Sequence, residues 1–325
     1  MLYRELGRSG IKVSEIGFGA WGIGGDWGAV DEKEAVDALR CAYDQGINLY
    51  DTAMVYGGGK SERLIGKAFR NDREKIVITS KIPPKSYRWP VTDDDPIEQT
   101  FPADWLVECV ETSLKNLGTD YIDVIQLHAW TDAYTDIQGW RETFKKLKEA
   151  GKIRGYGVSA NDWDPYGATN LAQKGLVDSV QVIYNIFEQR PAEKLLSAAL
   201  ESETGIIVRV PFEEGLLTGT IKPGQTFPEG DWRAQWLADG RLEAAYRRVE
   251  GLKVFLDDGV HSLALLALKF CLSNPSVSTV IPGMRTVKHV QMNVEAADGQ
   301  LLSAETLEKL KEHAFVHGWA YPWSQ

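Results

Sequence analysis

Cysteine is scarce in this chain of 325 residues. The three cysteines, Cys41, Cys109 and Cys271, lie far apart, and no pair has the C-x-x-C spacing. A small, odd number of scattered cysteines is atypical of a disulfide framework and offers no zinc site. We therefore expect reduced thiols packed in the interior and no bound metal.

Long apolar runs and clusters of positive charge are also absent. No apolar stretch approaches the roughly 20 residues that cross a bilayer, and the opening MLYRELGRSG lacks the apolar centre of a signal peptide. The formal net charge is -10, and the sequence contains no run of Lys and Arg. Such a surface repels the phosphates of nucleic acids and of anionic lipids. We expect a cytoplasmic protein with neither a membrane nor a nucleic-acid partner.

Short β-rich runs alternate with segments of helical period, a pattern typical of a parallel sheet with crossover helices. Eight runs are candidate strands: 16–19, 48–51, 76–81, 121–128, 154–159, 179–184, 205–211 and 278–283. The segments between them, such as ADWLVECVETSLKNLG, often end in a glycine, where a left-handed turn is expected. The pattern predicts an α/β fold, a (β/α)8 TIM barrel formed by residues 1–325 as one domain. The opening LYRELGRSGIKVS predicts an N-terminal β-hairpin that covers the bottom of the barrel.

Two irregular segments, 82–102 and 219–240, interrupt this alternation after predicted strands. Loops that follow barrel strands lie on the C-terminal face, where active sites form. We expect these long loops to bind substrate or to act as a lid. Simple variation in loop length is the alternative.

Three ionisable residues end three successive predicted strands: Asp51, Lys81 and His128. Taken singly, each is typical of a turn former, a solvated side chain or a hydrogen-bonded bystander. A parallel barrel brings all three to one rim, and the turn after Asp51 carries Tyr56 to the same place. Because unrelated structural needs would not place these groups in register, we interpret them as one catalytic site.

The combination suits the reduction of a carbonyl group, whose oxygen must gain a proton as hydride arrives at carbon. Tyr56 can donate that proton if an adjacent ammonium lowers its pKa from the ordinary value near 10. Lys81 would be that ammonium, and Asp51 would hold it as an ion pair. His128 would donate a hydrogen bond to the substrate oxygen.

The motifs DTAxxYG, ITSK, DxxQLH, GVS and IPG resemble, in order and spacing, those of aldo-keto reductases. The resemblance covers almost the whole chain. It implies a (β/α)8 barrel, a nicotinamide cofactor bound without a Rossmann domain, and a catalytic tetrad at Asp51, Tyr56, Lys81 and His128. The absence of a G-x-G-x-x-G motif after any strand agrees with this.

The resemblance also implies a set of residues that hold the cofactor. Near the nicotinamide it implies Gly19, Ala20 and Trp21, for which a glycine-rich turn is the alternative, together with Ser159, Gln181 and Arg209. It implies pyrophosphate contacts from the loop 215–219 at Leu216, Thr218 and Gly219, and contacts to the adenosine end from Gly283, Arg285, His289 and Asn293. Arg285 can meet a 2′-phosphate directly, which favours NADPH over NADH. Met292 and His289 differ from the residues common at their positions, so the preference stays open.

Two departures from the family pattern concern the nicotinamide. The family usually has Asn after the Ser of GVS, whereas this chain has Ala160 and then Asn161, so one carboxamide contact is lost or rebuilt. Arg209 replaces an aromatic residue that stacks on the nicotinamide ring. A guanidinium can stack on a π-face, but the positive oxidised ring repels it more than the neutral reduced ring does. Our hypothesis is that Arg209 weakens retention of NADP+ relative to NADPH.

Apolar residues beside the motifs are candidate walls of a substrate pocket, with core packing as the alternative. They are Trp21, Trp89, Trp130, Phe212 and the terminal Trp319 and Trp323. The sequence thus predicts an oxidoreductase that reduces a small aldehyde or ketone to an alcohol with NADPH. The alternatives are a cofactor-sensing regulatory subunit of a larger assembly and a dehydrogenase that works in the oxidative direction. No pattern predicts an oligomeric state.

Overall fold

The computed structural model describes residues 1–25, 28, 30–229 and 231–319. The strands are β1 (Tyr3–Glu5), β2 (Lys12–Ser14), β3 (Phe18–Gly19), β4 (Leu49–Asp51), β5 (Val77–Ile82), β6 (Ile122–Leu127), β7 (Ile153–Ser159), β8 (Ser179–Ile183), β9 (Gly205–Arg209) and β10 (Val277–Val280). The helices are α1 (Trp21–Gly24), α2 (Glu32–Asp44), α3 (Lys60–Ala68), α4 (Ile97–Thr100), α5 (Ala103–Leu117), α6 (Gly139–Glu149), α7 (Thr169–Gln173), α8 (Leu195–Glu201), α9 (Arg233–Trp236), α10 (Arg241–Gly251), α11 (Leu263–Leu272), α12 (Val287–Val294) and α13 (Ala304–Leu310). Within the described ranges, no helix combines the length and apolar character that crossing a bilayer requires.

Strands β3 to β10 form one parallel sheet in sequence order, as the alternating pattern predicted. Parallel bridges join Ile16 to Val280 and Gly19 to Gly283, and these bridges bring the two edge strands of the sheet together. The predicted (β/α)8 barrel is confirmed. Helices α2, α5 and α6 are followed by Gly46, Gly118 and Gly151, whose φ angles are +89°, +63° and +73°. The left-handed turns expected after these helices are therefore present.

The hairpin of β1 and β2 closes the N-terminal end of the barrel, as expected. Its Leu6 and Val13 are buried in a cluster with residues from the beginnings of the barrel strands, including Leu49, Val77 and Val124. Apolar burial of this kind contributes about 25 cal/mol per Å2 of surface removed from water. The hairpin therefore works as an apolar plug, and only the opposite end of the barrel is available for a site.

The chain after α13 packs over that opposite end. Nε2 of His317 lies 2.9 Å from Oε1 of Glu213, a residue of the loop after β9, and both side chains are buried. The imidazole stacks on Trp319 with 4.4 Å between ring centroids, and Trp163 meets it edge-on at 4.7 Å. Asn185 donates a hydrogen bond of 2.6 Å to the other carboxylate oxygen of Glu213. The segment up to residue 319 is thereby tied to the loop that leads into 215–219.

Candidate active site

Asp51 and Lys81 form a buried ion pair on neighbouring strands. Asp51 ends β4, and Lys81 lies one residue before the end of β5, so a parallel barrel brings both to its C-terminal rim. Nζ of Lys81 lies 2.5 Å from Oδ1 of Asp51 and also donates to the carbonyl of Thr52 at 2.7 Å. Burial lowers the pKa of Lys81, and the carboxylate of Asp51 opposes that shift. The pair thus places the amino group of Lys81 inside the rim, beside the carboxylate that favours its protonated form.

Two further side chains from the barrel interior donate hydrogen bonds to the other carboxylate oxygen of Asp51. Thr79, two residues before Lys81 and therefore on the same face of β5, donates to Oδ2 at 2.6 Å. Nε2 of Gln181 on β8 donates to the same oxygen at 2.8 Å. Three donors, Lys81, Thr79 and Gln181, therefore hold the carboxylate of Asp51 in one orientation.

Tyr56 stands above the ion pair on a tight turn. Nζ of Lys81 lies 5.0 Å from the centroid of its ring, and the ring of His128 lies 5.7 Å away, edge-on. The turn depends on Gly57, whose φ is +56° and where an added Cβ would lie 2.1 Å from the carbonyl oxygen of Gly24. A residue with a side chain cannot occupy that position without a shift, so Gly57 fixes where Tyr56 stands.

His128 follows β6 directly and faces the same opening. Burial is the main reason why the pKa of His128 lies well below its usual value, and the positive charges of Lys81 and Arg209 lower it further. Its Nδ1 is buried and has no hydrogen-bond partner among the described residues. A neutral imidazole carries one N–H donor and one acceptor. The geometry thus supplies an uncharged hydrogen-bonding group beside Tyr56.

Arg209, the last residue of β9, reaches across β8 to the chain that follows β7. Its Nη2 donates to the carbonyl of Ala160 at 2.9 Å and lies 2.7 Å from Oδ1 of Asp162. Its charge acts on both Lys81 and His128, so the guanidinium lies at the mouth with them. Sequence reasoning missed Asp162, because nothing in the chain pairs it with a strand 47 positions later.

The side chain of Gln181, which the sequence predicts to contact the nicotinamide, is also hydrogen-bonded to residues of the barrel interior. Its amide nitrogen donates to Asp51 and, at 3.2 Å, to Oε1 of Gln126, whose own nitrogen donates to Ser179 at 3.2 Å. A carboxylate only accepts hydrogen bonds, so Nε2 must face Asp51 and only Oε1 can meet a carboxamide. Gln126 was missed, although its position two residues before His128 already indicated that it points inward.

The predicted pyrophosphate loop, 215–219, is a compact 3-10 turn between two left-handed glycines. The N–H groups of Leu216, Thr218 and Gly219 donate to carbonyls inside the loop region at 3.0, 3.2 and 3.2 Å. A phosphate that binds these groups must therefore compete with weak internal bonds. The hydroxyl of Thr218 donates to the carbonyl of Gly215 at 2.6 Å.

The residues predicted for the adenosine end lie together near α12. Asn293 is buried, and its Nδ2 has no partner within the described part of the chain. The N–H of Arg285 donates to Nδ1 of His289 at 3.3 Å, and burial lowers the pKa of His289. The aliphatic part of Arg285 packs on α1, where a Cβ at Gly22 would lie 2.9 Å from Cγ. Gly22 thus leaves room for the side chain of Arg285, and Nδ2 of Asn293 is the buried donor of this group that lacks an acceptor within the described ranges.

Gly19, Ala20 and Ser159 complete the predicted set at the inner rim. The N–H of Gly19 donates to the carbonyl of Pro282 at 3.0 Å, and that of Ala20 donates to the carbonyl of Asp51 at 2.9 Å. Gly283 pairs with Gly19, and Ser159 ends β7 beside Gln181. Each of these residues lies at the C-terminal ends of the strands, as the sequence predicted.

The candidate pocket walls divide into two groups. Trp21 lies 6.2 Å from the ring of Tyr56, and Trp89 lies 5.8 Å from that of His128, both distances between ring centroids. Phe212 is partly buried beside Arg209 in the chain. Trp130 has no exposed surface and packs on Tyr134 and Trp140, so a substrate would reach it only after a rearrangement. Trp323 lies outside the described residues, and Trp319 belongs to the stack on His317.

The fold is a closed (β/α)8 barrel that gathers Asp51, Tyr56, Lys81 and His128 at its C-terminal rim. The Aldo/keto reductase family model matches residues 15–314. The chain is 37% identical to the aldo-keto reductase YhdN of Bacillus subtilis (strain 168) over 237 residues, which cover 71% of this chain and 68% of that protein. The chain belongs to the aldo/keto reductase family and is an NAD(P)H-dependent oxidoreductase.

Two other similar proteins have names of different kinds. The holo form of the aldo-keto reductase AKR11C1 from Bacillus halodurans has a TM-score of 0.77 and 29% identity, with 100% of both chains covered. A probable voltage-gated potassium channel subunit beta from Arabidopsis thaliana is 32% identical over 329 residues, 96% of each chain. Proteins of similar sequence thus carry both enzymatic and channel-associated names.

Proposed function

We propose that this protein reduces an aldehyde or ketone to the alcohol with NADPH, and that Tyr56 donates the proton. The observation that carries the proposal is the arrangement of ionisable side chains at the C-terminal rim. The buried ion pair of Asp51 and Lys81 lies beneath the ring of Tyr56, with Nζ 5.0 Å from its centroid, and neutral His128 stands beside it. This is the arrangement that a carbonyl oxygen needs if it is to receive a proton.

Each residue has a separate part in the proposed reaction. The nicotinamide, when bound, supplies the hydride. The hydroxyl of Tyr56 donates its proton to the carbonyl oxygen, and the ammonium of Lys81 stabilises the resulting phenolate. Asp51 holds that ammonium in place. His128, kept neutral by burial and by the charges of Lys81 and Arg209, donates an N–H to the same oxygen without adding a further cation.

The residues present fit a dinucleotide with a 2′-phosphate. The buried Nδ2 of Asn293 is a donor that finds no partner within the described ranges, which is costly unless a ligand supplies an acceptor. Arg285 and Lys288 bring two positive charges to the beginning of α12, where they also act on His289. Two positive charges beside a helix N-terminus favour an added phosphate group, so we propose NADPH as the preferred cofactor.

Two broader features belong to the proposal. The three cysteines are free, and Cys109 and Cys271 are buried, which supports a reducing compartment such as the cytoplasm. One apolar cluster extends from Ile16 to Leu310 within the described ranges, which supports a single domain.

The test is turnover of a panel of aldehydes and ketones, followed by the loss of NADPH absorbance. We expect the wild type to turn over and NADPH to give a larger kcat/KM than NADH. Tyr56→Phe removes the proton donor and should lower kcat by about 10²- to 10⁴-fold. Tyr3→Phe, at the plugged end of the barrel, is the matched control and should be unaffected. Full activity in Tyr56→Phe would show that another group donates the proton.

The channel-associated name of one relative favours a second candidate function, a cofactor-sensing regulatory subunit. That function predicts tight binding of NADPH with no turnover across the panel. Assays with alcohols and NADP+ test the oxidative direction in the same experiment.

A further inference from the structure

Asn161 lies one position later than the asparagine that the family pattern provides, and its amide has a different partner. Ser159 ends β7, and the N–H of Ala160 still pairs with the carbonyl of Gln181 at 2.9 Å. The side chain of Asn161 then turns to the long segment 82–102, which follows β5. Nδ2 donates to the carbonyl of Val91 at 2.7 Å, and the N–H of Val91 reaches Oδ1 at 3.4 Å.

This pair of contacts satisfies both backbone groups of one residue. Val91 is buried, with 4% of its surface exposed, so its N–H and carbonyl have little access to water. A buried backbone group without a partner costs about as much as a lost hydrogen bond. The amide of Asn161 therefore determines where Val91 can lie.

The position of Val91 bears directly on the candidate pocket, because Trp89 is two residues away. The indole N–H of Trp89 donates to the carbonyl of His128 at 3.3 Å, and its ring lies edge-on to the imidazole at 5.8 Å. Trp89 keeps part of its surface exposed. With Trp21 beside Tyr56 on the other side, two indoles flank the site of proton transfer.

Other contacts hold the same segment from a different strand. The hydroxyl of Thr131 bonds to Asp93, and that of Tyr134 donates to the carbonyl of Asp95 at 2.7 Å. Both of these residues follow β6, whereas Asn161 follows β7. The segment 82–102 is thus anchored on two sides, and of the anchored residues Val91, Asp93 and Asp95, the one held by Asn161 is nearest to Trp89 in the chain.

We propose that Asn161 is a positioning residue which holds Trp89 as a fixed wall of the carbonyl pocket, and that this wall selects aldehydes with a flat aromatic group. An aromatic aldehyde can pack against an indole face or edge, and aromatic pairs of this kind are stabilised beyond the burial of apolar area. A short aliphatic aldehyde gains little from the wall. The choice of substrate rests on the proposed function, whereas the anchoring of Val91 does not.

Asn161→Ala in the full-length protein removes both contacts, and Asn170→Ala is the matched control. Asn170 lies in the same βα unit, but it is exposed and pairs with Asp132 instead. With NADPH, we expect kcat/KM for benzaldehyde to fall about tenfold in Asn161→Ala, mainly through KM, as the loss of one hydrogen-bonded anchor implies. Turnover of propanal and the Kd of NADPH should change less than about twofold.

Hydrogen exchange gives a second readout that needs no activity. The peptide that contains Val91 should exchange about tenfold faster in Asn161→Ala than in the wild type, and at the wild-type rate in Asn170→Ala. Asn161→Asp keeps the acceptor for Val91 but loses the donor, so we expect an intermediate rate. This variant also keeps the test usable if Asn161→Ala folds poorly.

The outcomes separate this proposal from the proposed function. Equal losses for both aldehydes with a weakened Kd for NADPH would place Asn161 at the cofactor and overturn the proposal. Unchanged exchange at Val91 would also overturn it. A wild type that exchanges as expected but reduces neither aldehyde would contradict the proposed substrate class and function, while the anchoring role of Asn161 would stand.

Discussion

Three basic side chains, Lys81, Arg209 and His128, share the mouth of the barrel with the carboxylates of Asp51 and Asp162. Lys81 and Arg209 each have an acidic partner, Asp51 and Asp162, at 2.5 and 2.7 Å. His128 has no acidic partner within the described part of the chain, and burial followed by the two neighbouring cations disfavours its protonation. The consequence is an imidazole whose uncharged form is favoured, which agrees with the proposal that Tyr56 donates the proton.

The lowered pKa of His128 predicts a loss of stability in acid. The folded state resists protonation of this ring, whereas the unfolded chain binds a proton below about pH 6.5, so stability present above that pH is lost as the pH falls. The contribution reaches about 1.4 kcal/mol per pH unit at most. Urea unfolding at pH 7 and pH 5 should show a smaller loss for His128→Gln than for the wild type. An identical pH dependence would mean that His128 is protonated in the folded protein.

Arg209 carries a prediction about the release of the oxidised cofactor. If the guanidinium stacks on the nicotinamide, it repels the positive ring of NADP+ more than the neutral ring of NADPH. Arg209→Phe should therefore lower the Kd of NADP+ relative to that of NADPH, measured by titration of each form. Arg209→Lys keeps the charge but loses the planar group, so it separates charge from stacking. An unchanged ratio of the two Kd values in Arg209→Phe would contradict the hypothesis.

At the level of elements, the turn between β4 and α3 sets the height of Tyr56. Gly57→Ala places a methyl group 2.1 Å from the carbonyl of Gly24, so the turn must shift. We expect at least about a tenfold loss of kcat and about 1–3 kcal/mol of destabilisation. Gly58→Ala is the control, because its φ of +58° imposes the same backbone strain while no atom lies within 4 Å of the new Cβ. Equal loss of kcat in both variants would show that backbone strain, and not the clash, is responsible.

The sequence predicted most barrel strands to within one residue at each end, and two strands that were predicted to end too late have local causes. β9 ends at Arg209 and not at residue 211, because Val210 has a φ of +54°, a conformation that a β-branched residue rarely adopts. β10 ends at Val280, before Pro282, which has no N–H for the ladder. The periodicity of the sequence predicts that a strand is present. Where the strand ends depends on backbone φ and ψ angles, for which the residue type sets only a preference.

The same distinction applies to the site. Asp51, Lys81 and His128 were predictable because strand ends of a parallel barrel meet at one rim. Their supporting contacts were not, since Gln126, Asn161 and Asp162 act through partners that are distant in the chain. Such pairings depend on which side chains face each other across neighbouring strands and loops, and a single sequence does not contain that information.

At the scale of the whole molecule, the two ends of the barrel are built in different ways. The N-terminal end is closed by one local hairpin and an apolar cluster, which a hydrophobic pattern can predict. The C-terminal end combines strand ends, the segment 82–102, the loop after β9 and the last described residues, which come from every part of the chain. Changes far apart in sequence can therefore alter the same pocket.

The contact between His317 and Glu213 has a practical consequence for work on this protein. Residues 317 to 319 lie beside the loop that leads into 215–219, because His317 pairs with Glu213 and stacks on Trp319. A fluorescent label attached at residue 319 would therefore lie near the proposed pyrophosphate loop. The same attachment on the hairpin would sit at the opposite end, where the apolar plug separates it from the chemistry.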